Sequence, residues 1–300
     1  MAVESTTVEA LLSRRGTPAW SYQRLVDGSL LSPGLLLIGI CFLLPLSFVV
    51  VHSLFPNEVP GPSLALYHKF LTDEYFLGIL GRTLRVGLLA MIFTLIPGYV
   101  LAYNIVFSQS TAMRSLVIAV ALVPLVINLV IRIYGWITIL SSRGVLYSLL
   151  SAAGITDSPM RIMFSETAIT IGLVHSHITF MALTIAAALA RIDPALLRAA
   201  QNLGANPGRV FTRVILPISV PGIVAGSLIV FALNISDFVV PSLLGGNRNR
   251  MMTYLIYEQQ LFLANAPFAA VQTVLLLIVS AIAIGGYLRV SAIYARRFKR

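Results

Sequence analysis

The chain has 300 residues, of which 58% are hydrophobic and only 11% are charged, and its mean hydropathy is +0.90. Soluble domains carry about a quarter charged residues, so this composition excludes an ordinary soluble protein and predicts one that resides in a lipid bilayer. The net charge of +10 does not indicate a nucleic-acid partner, because the basic residues are scattered between apolar runs and form no single patch.

Six apolar runs follow along the chain, and each is long enough to cross about 30 Å of hydrocarbon as an α-helix. Open strands would leave backbone groups unpaired in lipid, so the runs predict an all-α polytopic protein with six transmembrane helices. Residues 1–30 form an N-terminal segment and residues 31–300 one transmembrane domain. Prolines inside several runs predict kinks at Pro45, Pro97, Pro124 and Pro221. The predicted spans lie near residues 31–52, 83–107, 115–136, 167–190, 214–236 and 268–288.

Basic residues predict the orientation, because lysines and arginines are concentrated in the cytoplasmic segments of membrane proteins. Both termini, including the N-terminal segment, are assigned to the cytoplasm, where the tail over residues 296–300 is a strong basic anchor. Two termini on the same side require an even number of spans, and six spans satisfy this condition.

One inside loop, residues 191–213, carries unusually clear helix signals. Asp193 is a good N-cap, and Pro194 fits the first helical position, where no N–H is needed. Gly204 can take the left-handed conformation that ends a helix, and Asn206 before a proline repeats the start signal. The pattern predicts a helix over 194–203, a glycine hinge and a second helix. Such a rigid protrusion suits a docking element, although an ordinary helical hairpin between spans has the same pattern.

This loop resembles the EAA loop of binding-protein-dependent ABC importer permeases. Arg198 departs from that pattern, because an acidic residue is expected there, so the polarity of any salt bridge would be reversed. The resemblance extends over about residues 83–290 and implies the type I permease fold in the bacterial inner membrane. The residues that match the loop pattern are Ala199, Ala200, Gly204, Ala205, Phe211, Leu216, Pro217, Pro221 and Gly222.

Two further stretches are similar to the polyamine branch of this family, namely residues 132–136 and 237–246. The resemblance implies a solute such as putrescine or spermidine, delivered by a periplasmic solute-binding protein. It also implies a second, different permease subunit and an ABC ATPase dimer that receives the loop.

No cofactor is expected on this chain, and ATP and Mg²⁺ are expected on the partner ATPase. A Walker A loop needs Gly-Lys before Ser or Thr, whereas the only lysines, Lys69 and Lys299, follow His68 and Phe298. The chain is therefore not expected to be an enzyme.

Two other classes of protein are alternatives to an importer. A membrane-embedded metalloenzyme would use His175 and His177, but a spacing of two residues directs them to different faces of a helix. An ion-coupled secondary carrier would place acidic residues at mid-membrane, and the predicted spans contain no Asp or Glu in their interiors. Neither a metal site nor ion coupling is expected.

Acidic and aromatic residues near the outer ends of the spans are the candidates for the solute path. A carboxylate facing the path would suit a cation, and Asp237 is the first candidate because it directly follows a span. The alternative is a solvated residue that caps the next loop. Arg85 and Arg132 have the opposite charge and leave an anion such as an opine, sulfate or another carboxylate open. The wider alternative is the same class of transporter for another solute, which includes an amino acid derivative or ferric ion. The candidate path residues are Asp237, Trp136, Tyr134, Glu166 and Glu258.

Overall fold

The computed structural model describes the backbone of residues 19–56 and 61–297 and the side chains of residues 32–56 and 61–291. Predicted features at residues 1–18 and 298–300 lie outside this part of the chain. Every regular element within the described backbone is a helix, which confirms the all-α prediction. The helices are α1 (Ala19–Leu54), α2 (Ala65–Thr72), α3 (Glu74–Phe107), α4 (Thr111–Val126), α5 (Leu129–Leu140), α6 (Val145–Ala152), α7 (Glu166–Leu189), α8 (Pro194–Asn202), α9 (Pro207–Ser236), α10 (Val239–Leu244), α11 (Met252–Leu261) and α12 (Ala266–Arg297).

Six stretches of the described chain are long and apolar enough to cross a membrane, as predicted. Five of them overlap the predicted spans closely. The side of the membrane on which each end lies stays a prediction. The six stretches are Ser32–Leu54, Glu74–Phe107, Leu129–Ala152, Glu166–Leu189, Pro207–Ser236 and Ala266–Ser291.

The third span differs from the prediction, because residues 115–136 form two helices and not one kinked helix. Helix α4 continues past Pro124 to Val126, and the backbone is then extended at Ile127. Asn128 starts α5 by accepting a hydrogen bond from the N–H of Val130 at 2.9 Å. The asparagine cap therefore decides where the helix breaks, and the sequence interpretation gave the proline too much weight.

Helices α3, α7 and α9 pack together as the centre of the molecule. Small residues allow their backbones to approach closely, as is common between membrane helices. A Cβ atom added to Gly222 of α9 would lie 2.5 Å from the Cβ of Ala188 and 3.2 Å from the carbonyl oxygen of Thr184 on α7. A Cβ atom on Gly98 of α3 would lie 2.7 Å from Met181. These glycines fix the geometry of the three-helix centre.

Helix α1 lies at the periphery and packs along α12. Its leucines are largely exposed, with Leu35 at 66% and Leu36 at 63%, as expected of side chains that face lipid. The helix already begins at Ala19, so residues 19–30 are continuous with the first span. The predicted division at residue 30 is therefore not a break in the backbone.

Candidate functional site

A polar cluster links the three central helices halfway along α7. The Nδ1 atom of His177 lies 2.8 Å from Oδ1 of Asn234, and Nδ2 of Asn234 donates to the carbonyl oxygen of Gly87 at 3.0 Å. Since the amide nitrogen of Asn234 is the donor to Gly87, its oxygen accepts from His177, and the histidine proton resides on Nδ1. The second ring nitrogen, Nε2, faces Oδ2 of Asp237 at 3.7 Å.

Asp237 lies deeper than the sequence interpretation placed it. Helix α9 ends at Ser236 opposite the middle of α7, so Asp237 lies beside His177 and not at an outer span end. Only 7% of its side chain is exposed. One carboxylate oxygen accepts from the N–H of Val240 at 2.9 Å, so the alternative capping role of Asp237 is present. The other oxygen faces His177, and the role of Asp237 in the solute path stays a prediction.

A cavity of about 460 Å³ opens beside this cluster at the break between α4 and α5. The break supplies Pro124–Leu129 to its wall, and α5 and α7 supply Arg132, Ser176 and His177. The last carbonyl groups of α4 lack a helical partner at such a break. Transporters commonly use interrupted helices in this way to line a solute path.

Arg132 is the cationic group of this cavity. Its Nε and Nη1 atoms are buried and have no hydrogen-bond partner among the described residues. Unpaired buried donors are uncommon and costly, so they mark a position where a further group can bind.

Trp136 and Tyr134 do not line the cavity that opens at the break between α4 and α5. The ring of Trp136 packs edge-on against His175 at 5.6 Å between centroids, and both line a separate apolar cavity of about 500 Å³. Tyr134 is 59% exposed. His175 and His177 point to different surroundings, as their spacing predicted.

Glu166 lies at the first turn of α7 and is held by two arginines of α3. Arg85 Nη2 donates to both carboxylate oxygens at 2.6 and 2.7 Å, and Arg82 Nε donates at 3.2 Å. Arg82 also donates to the carbonyl oxygen of Arg248 at 3.0 Å. This ion cluster joins α3, α7 and the α10–α11 loop, so the charge of Glu166 is compensated within the chain. Its predicted place in the path stays a prediction.

Glu258 on α11 is also paired within the chain, because Arg250 Nη1 lies 2.6 Å from its Oε2. The pair is partly open, with 24% of the Arg250 side chain and 23% of the Glu258 side chain exposed. The sequence interpretation missed Arg82, Arg250 and Asn234. A polar asparagine inside an otherwise apolar span was the signal that could have identified Asn234.

The loop between α7 and α9 follows the predicted pattern closely. Asp193 accepts from the N–H of Ala195 at 2.8 Å, and Asn206 accepts from the N–H of Arg209 at 2.8 Å. Gly204 has φ = +80°, the left-handed conformation that ends α8. Helix α8 ends at Asn202, one residue before the predicted end.

The neighbouring alanines of α8, Ala199 and Ala200, do not share one open face. Arg198 and Ala199 are exposed and Leu203 is 88% exposed, whereas Ala200 and Ala205 are half-buried against the central core. Successive helical residues are rotated by about 100°, so the side chains of Ala199 and Ala200 point in different directions. Ala199 therefore lies on the open surface of α8, whereas Ala200 faces the central core.

The start of α9 contains a π-helical turn over Phe211–Ile215. Pro217 has no N–H to donate to the carbonyl four residues earlier, and the wider turn ends just before Leu216. The ring of Phe211 packs edge-on against Tyr99 of α3 at 5.8 Å between centroids. The loop is thus attached to the central helices through an aromatic contact.

Comparisons with known proteins agree with this architecture. Residues 88–293 match the model of the family described as binding-protein-dependent transport system inner membrane component. The chain is 33% identical over 265 residues to the spermidine/putrescine transport system permease protein PotB of Escherichia coli K12. The aligned region covers 88% of this chain and 93% of that protein.

Two solved structures share the fold. A crystal structure of a bacterial ABC transporter that imports the acidic polysaccharide alginate superposes with a TM-score of 0.76 at 21% identity, over 92% of this chain and 99% of that chain. The structure of a bacterial alginate ABC transporter in complex with an alginate pentasaccharide-bound periplasmic protein gives a TM-score of 0.75 at 21% identity, over 91% of this chain and 96% of that chain.

Proposed function

Because this chain belongs to the family of binding-protein-dependent transport system inner membrane components, we propose that it forms half of a translocation path for a polyamine. The chain is a permease subunit of an ABC importer, a multi-pass protein of the bacterial inner membrane, and not an enzyme. Putrescine or spermidine is the proposed solute, and a periplasmic binding protein delivers it.

The observation that carries the choice of solute is the 33% identity over 265 residues to a spermidine/putrescine permease. The geometry supports the proposal through two carboxylates: Asp237 lies beside the middle of α7, and Glu258 is partly open on α11. A carboxylate near low-dielectric walls attracts an ammonium group more strongly than one in water.

An anionic solute is the second candidate, and Arg132 is the observation that favours it. Its two unpartnered nitrogens lie beside the cavity at the helix break, where they could bind a carboxylate or sulfate group.

The proposed partners are an ABC ATPase dimer, which binds ATP and Mg²⁺, and a second, different permease subunit. The ATPase receives α8, whose exposed residues Arg198 and Ala199 are open to a partner, as is Leu203 directly after the helix. Motion of the ATPase then reaches the central helices through Phe211, Leu216 and Pro217 at the start of α9. The reversed charge at Arg198 calls for an acidic group on the ATPase. This arrangement requires the α8 end and both termini to be cytoplasmic.

The test is ATP-driven uptake by the complete importer in proteoliposomes, with radiolabelled putrescine, spermidine and sulfate supplied with the binding protein. A thermal-shift screen of the binding protein with the same solutes provides an independent readout. Uptake of either polyamine together with stabilisation of the binding protein supports the proposal. Uptake of sulfate alone would contradict the polyamine proposal and support the anionic solute.

A further inference from the structure

Three aromatic side chains form a continuous surface between the two carboxylates of the proposed path. Phe238, which follows Asp237, packs against Tyr257 at 4.5 Å between ring centroids. Its ring is parallel to that of Tyr254, at 6.2 Å between centroids and 9° between planes. We refer to Phe238, Tyr254 and Tyr257 as the aromatic patch. All three side chains are partly exposed.

The backbone around the patch is fixed by hydrogen bonds. Thr253 Oγ1 donates to the carbonyl oxygen of Asp237 at 2.8 Å, which ties α11 to the end of α9. Met252 N–H donates to Thr83 Oγ1 of α3 at 2.9 Å. These hydrogen bonds hold the backbone that carries the rings in place, so ligand binding would not have to order it.

A cation already occupies one end of the patch. The guanidinium carbon of Arg250 lies 5.4 Å from the centre of the Tyr254 ring, while the same side chain pairs with Glu258 at 2.6 Å. An aromatic face and a carboxylate that converge on one positive group are the features that recognise amines. The Nε atom of Arg250 is buried and has no partner in the described structure, so the arginine is only partly satisfied there.

We propose that Glu258 and the aromatic patch form an amine-binding site, in which a primary ammonium group of the solute replaces the guanidinium of Arg250. The carbon chain of the amine then lies along the rings of Tyr254 and Phe238, towards Asp237. Arg250 closes the site when no amine is present, because it satisfies Glu258 and the Tyr254 ring itself. This proposal rests on the proposed polyamine function. It adds Glu258 and the aromatic patch to Asp237 as residues that bind the solute.

Equilibrium dialysis of radiolabelled spermidine against the purified importer, without its binding protein, tests the site directly. Arg250→Gln should tighten binding roughly fivefold, because the competing internal cation is removed. Glu258→Gln and Tyr254→Leu should each weaken binding roughly fivefold, whereas Tyr254→Phe should bind like the wild type because it keeps the ring. Tyr75→Leu is the control, because Tyr75 is an exposed tyrosine of α3 outside the patch.

Gel filtration of each variant complex identifies any that fails to assemble, and the remaining variants decide the result. The site is wrong if Arg250→Gln does not tighten binding, or if Glu258→Gln and Tyr254→Leu bind spermidine like the wild type. An importer that transports spermidine but shows no such binding also overturns the site while leaving the polyamine function intact. An importer that transports no polyamine overturns the proposed function itself.

Discussion

The two ends of helix α7 lie in regions that differ in how their charged groups are paired. Glu166 lies at the start of α7, and we call this region the Glu166 end; α8 follows the last turn of α7, and we call that region the α8 end. At the Glu166 end, Glu166 is paired with Arg82 and Arg85, and Glu258 is paired with Arg250. At the α8 end, Arg198 is exposed and no ion pair to it occurs among the described residues. The acidic groups of the first region are paired within this chain, whereas Arg198 is unpaired in the described structure and is available to the proposed ATPase.

The difference indicates where substitutions should act. Changes at the Glu166 end break contacts that the chain makes with itself, so they should affect stability and solute passage. Changes at the α8 end leave the chain's own contacts nearly intact, so they should affect communication with the ATPase.

The largest effect expected concerns the side of the membrane on which each region lies. Reporter fusions at residues 150 and 250 should report periplasm, and a fusion at residue 205 should report cytoplasm. The positive-inside rule is the reason, since basic residues gather at the α8 end. A reversed pattern at any of the three positions would place the exposed loop out of reach of an ATPase.

Gly204→Val should nearly abolish transport while membrane insertion stays normal. No heavy atom would lie within 4 Å of an added Cβ, so the cost comes from the backbone at φ = +80° and is about 1–3 kcal/mol. ATP hydrolysis should continue without uptake in proteoliposomes. Gly208→Val is the matched control, because Gly208 lies in a helical turn with only ordinary contacts. Normal uptake by the Gly204 variant would show that α8 does not couple ATP hydrolysis to transport.

Asp237→Asn should lower polyamine uptake by about three- to tenfold, because the carboxylate charge beside His177 is lost. The hydrogen bond from Val240 survives, since the asparagine oxygen accepts in the same way. Asp237→Glu should keep part of the activity. Unchanged uptake by the asparagine variant would leave Asp237 with only its capping role.

Glu166→Gln should produce the smallest change, a loss of about 1 kcal/mol in stability and a lowering of Tm by roughly 2 °C. The amide leaves Arg82 and Arg85 without a charged partner. Glu74→Gln is the control, because Glu74 is an exposed acid at the start of α3 for which no ion pair occurs among the described residues. Equal melting temperatures in a thermal denaturation series would show that the ion cluster does not stabilise the fold.

Local patterns in the sequence predicted those parts of the fold that depend on neighbouring residues. The N-caps Asp193 and Asn206 and the left-handed Gly204 are such features, and each is present in the structure. The helix break at Asn128 has the same local origin, but the sequence interpretation predicted a kink at Pro124, four residues earlier.

Contacts between distant residues could not be predicted in this way. Arg82 and Glu166 are 84 residues apart, and only the packing of α3 against α7 brings them together. The depth of Asp237 is also a tertiary property, because it depends on α9 ending opposite the middle of α7. Apolar run lengths predict where spans occur, but they contain no information on how far one span is displaced along another.

One measurement connects both regions of the molecule, namely the ATPase rate of the complete importer in nanodiscs when solute-loaded binding protein is added. Binding protein loaded with putrescine or spermidine should stimulate hydrolysis several-fold in the wild type, and Gly204→Val should remove the stimulation while leaving basal hydrolysis. Stimulation by binding protein loaded with sulfate but not with a polyamine would contradict the polyamine assignment. A Gly204 variant stimulated like the wild type would contradict the role of the loop.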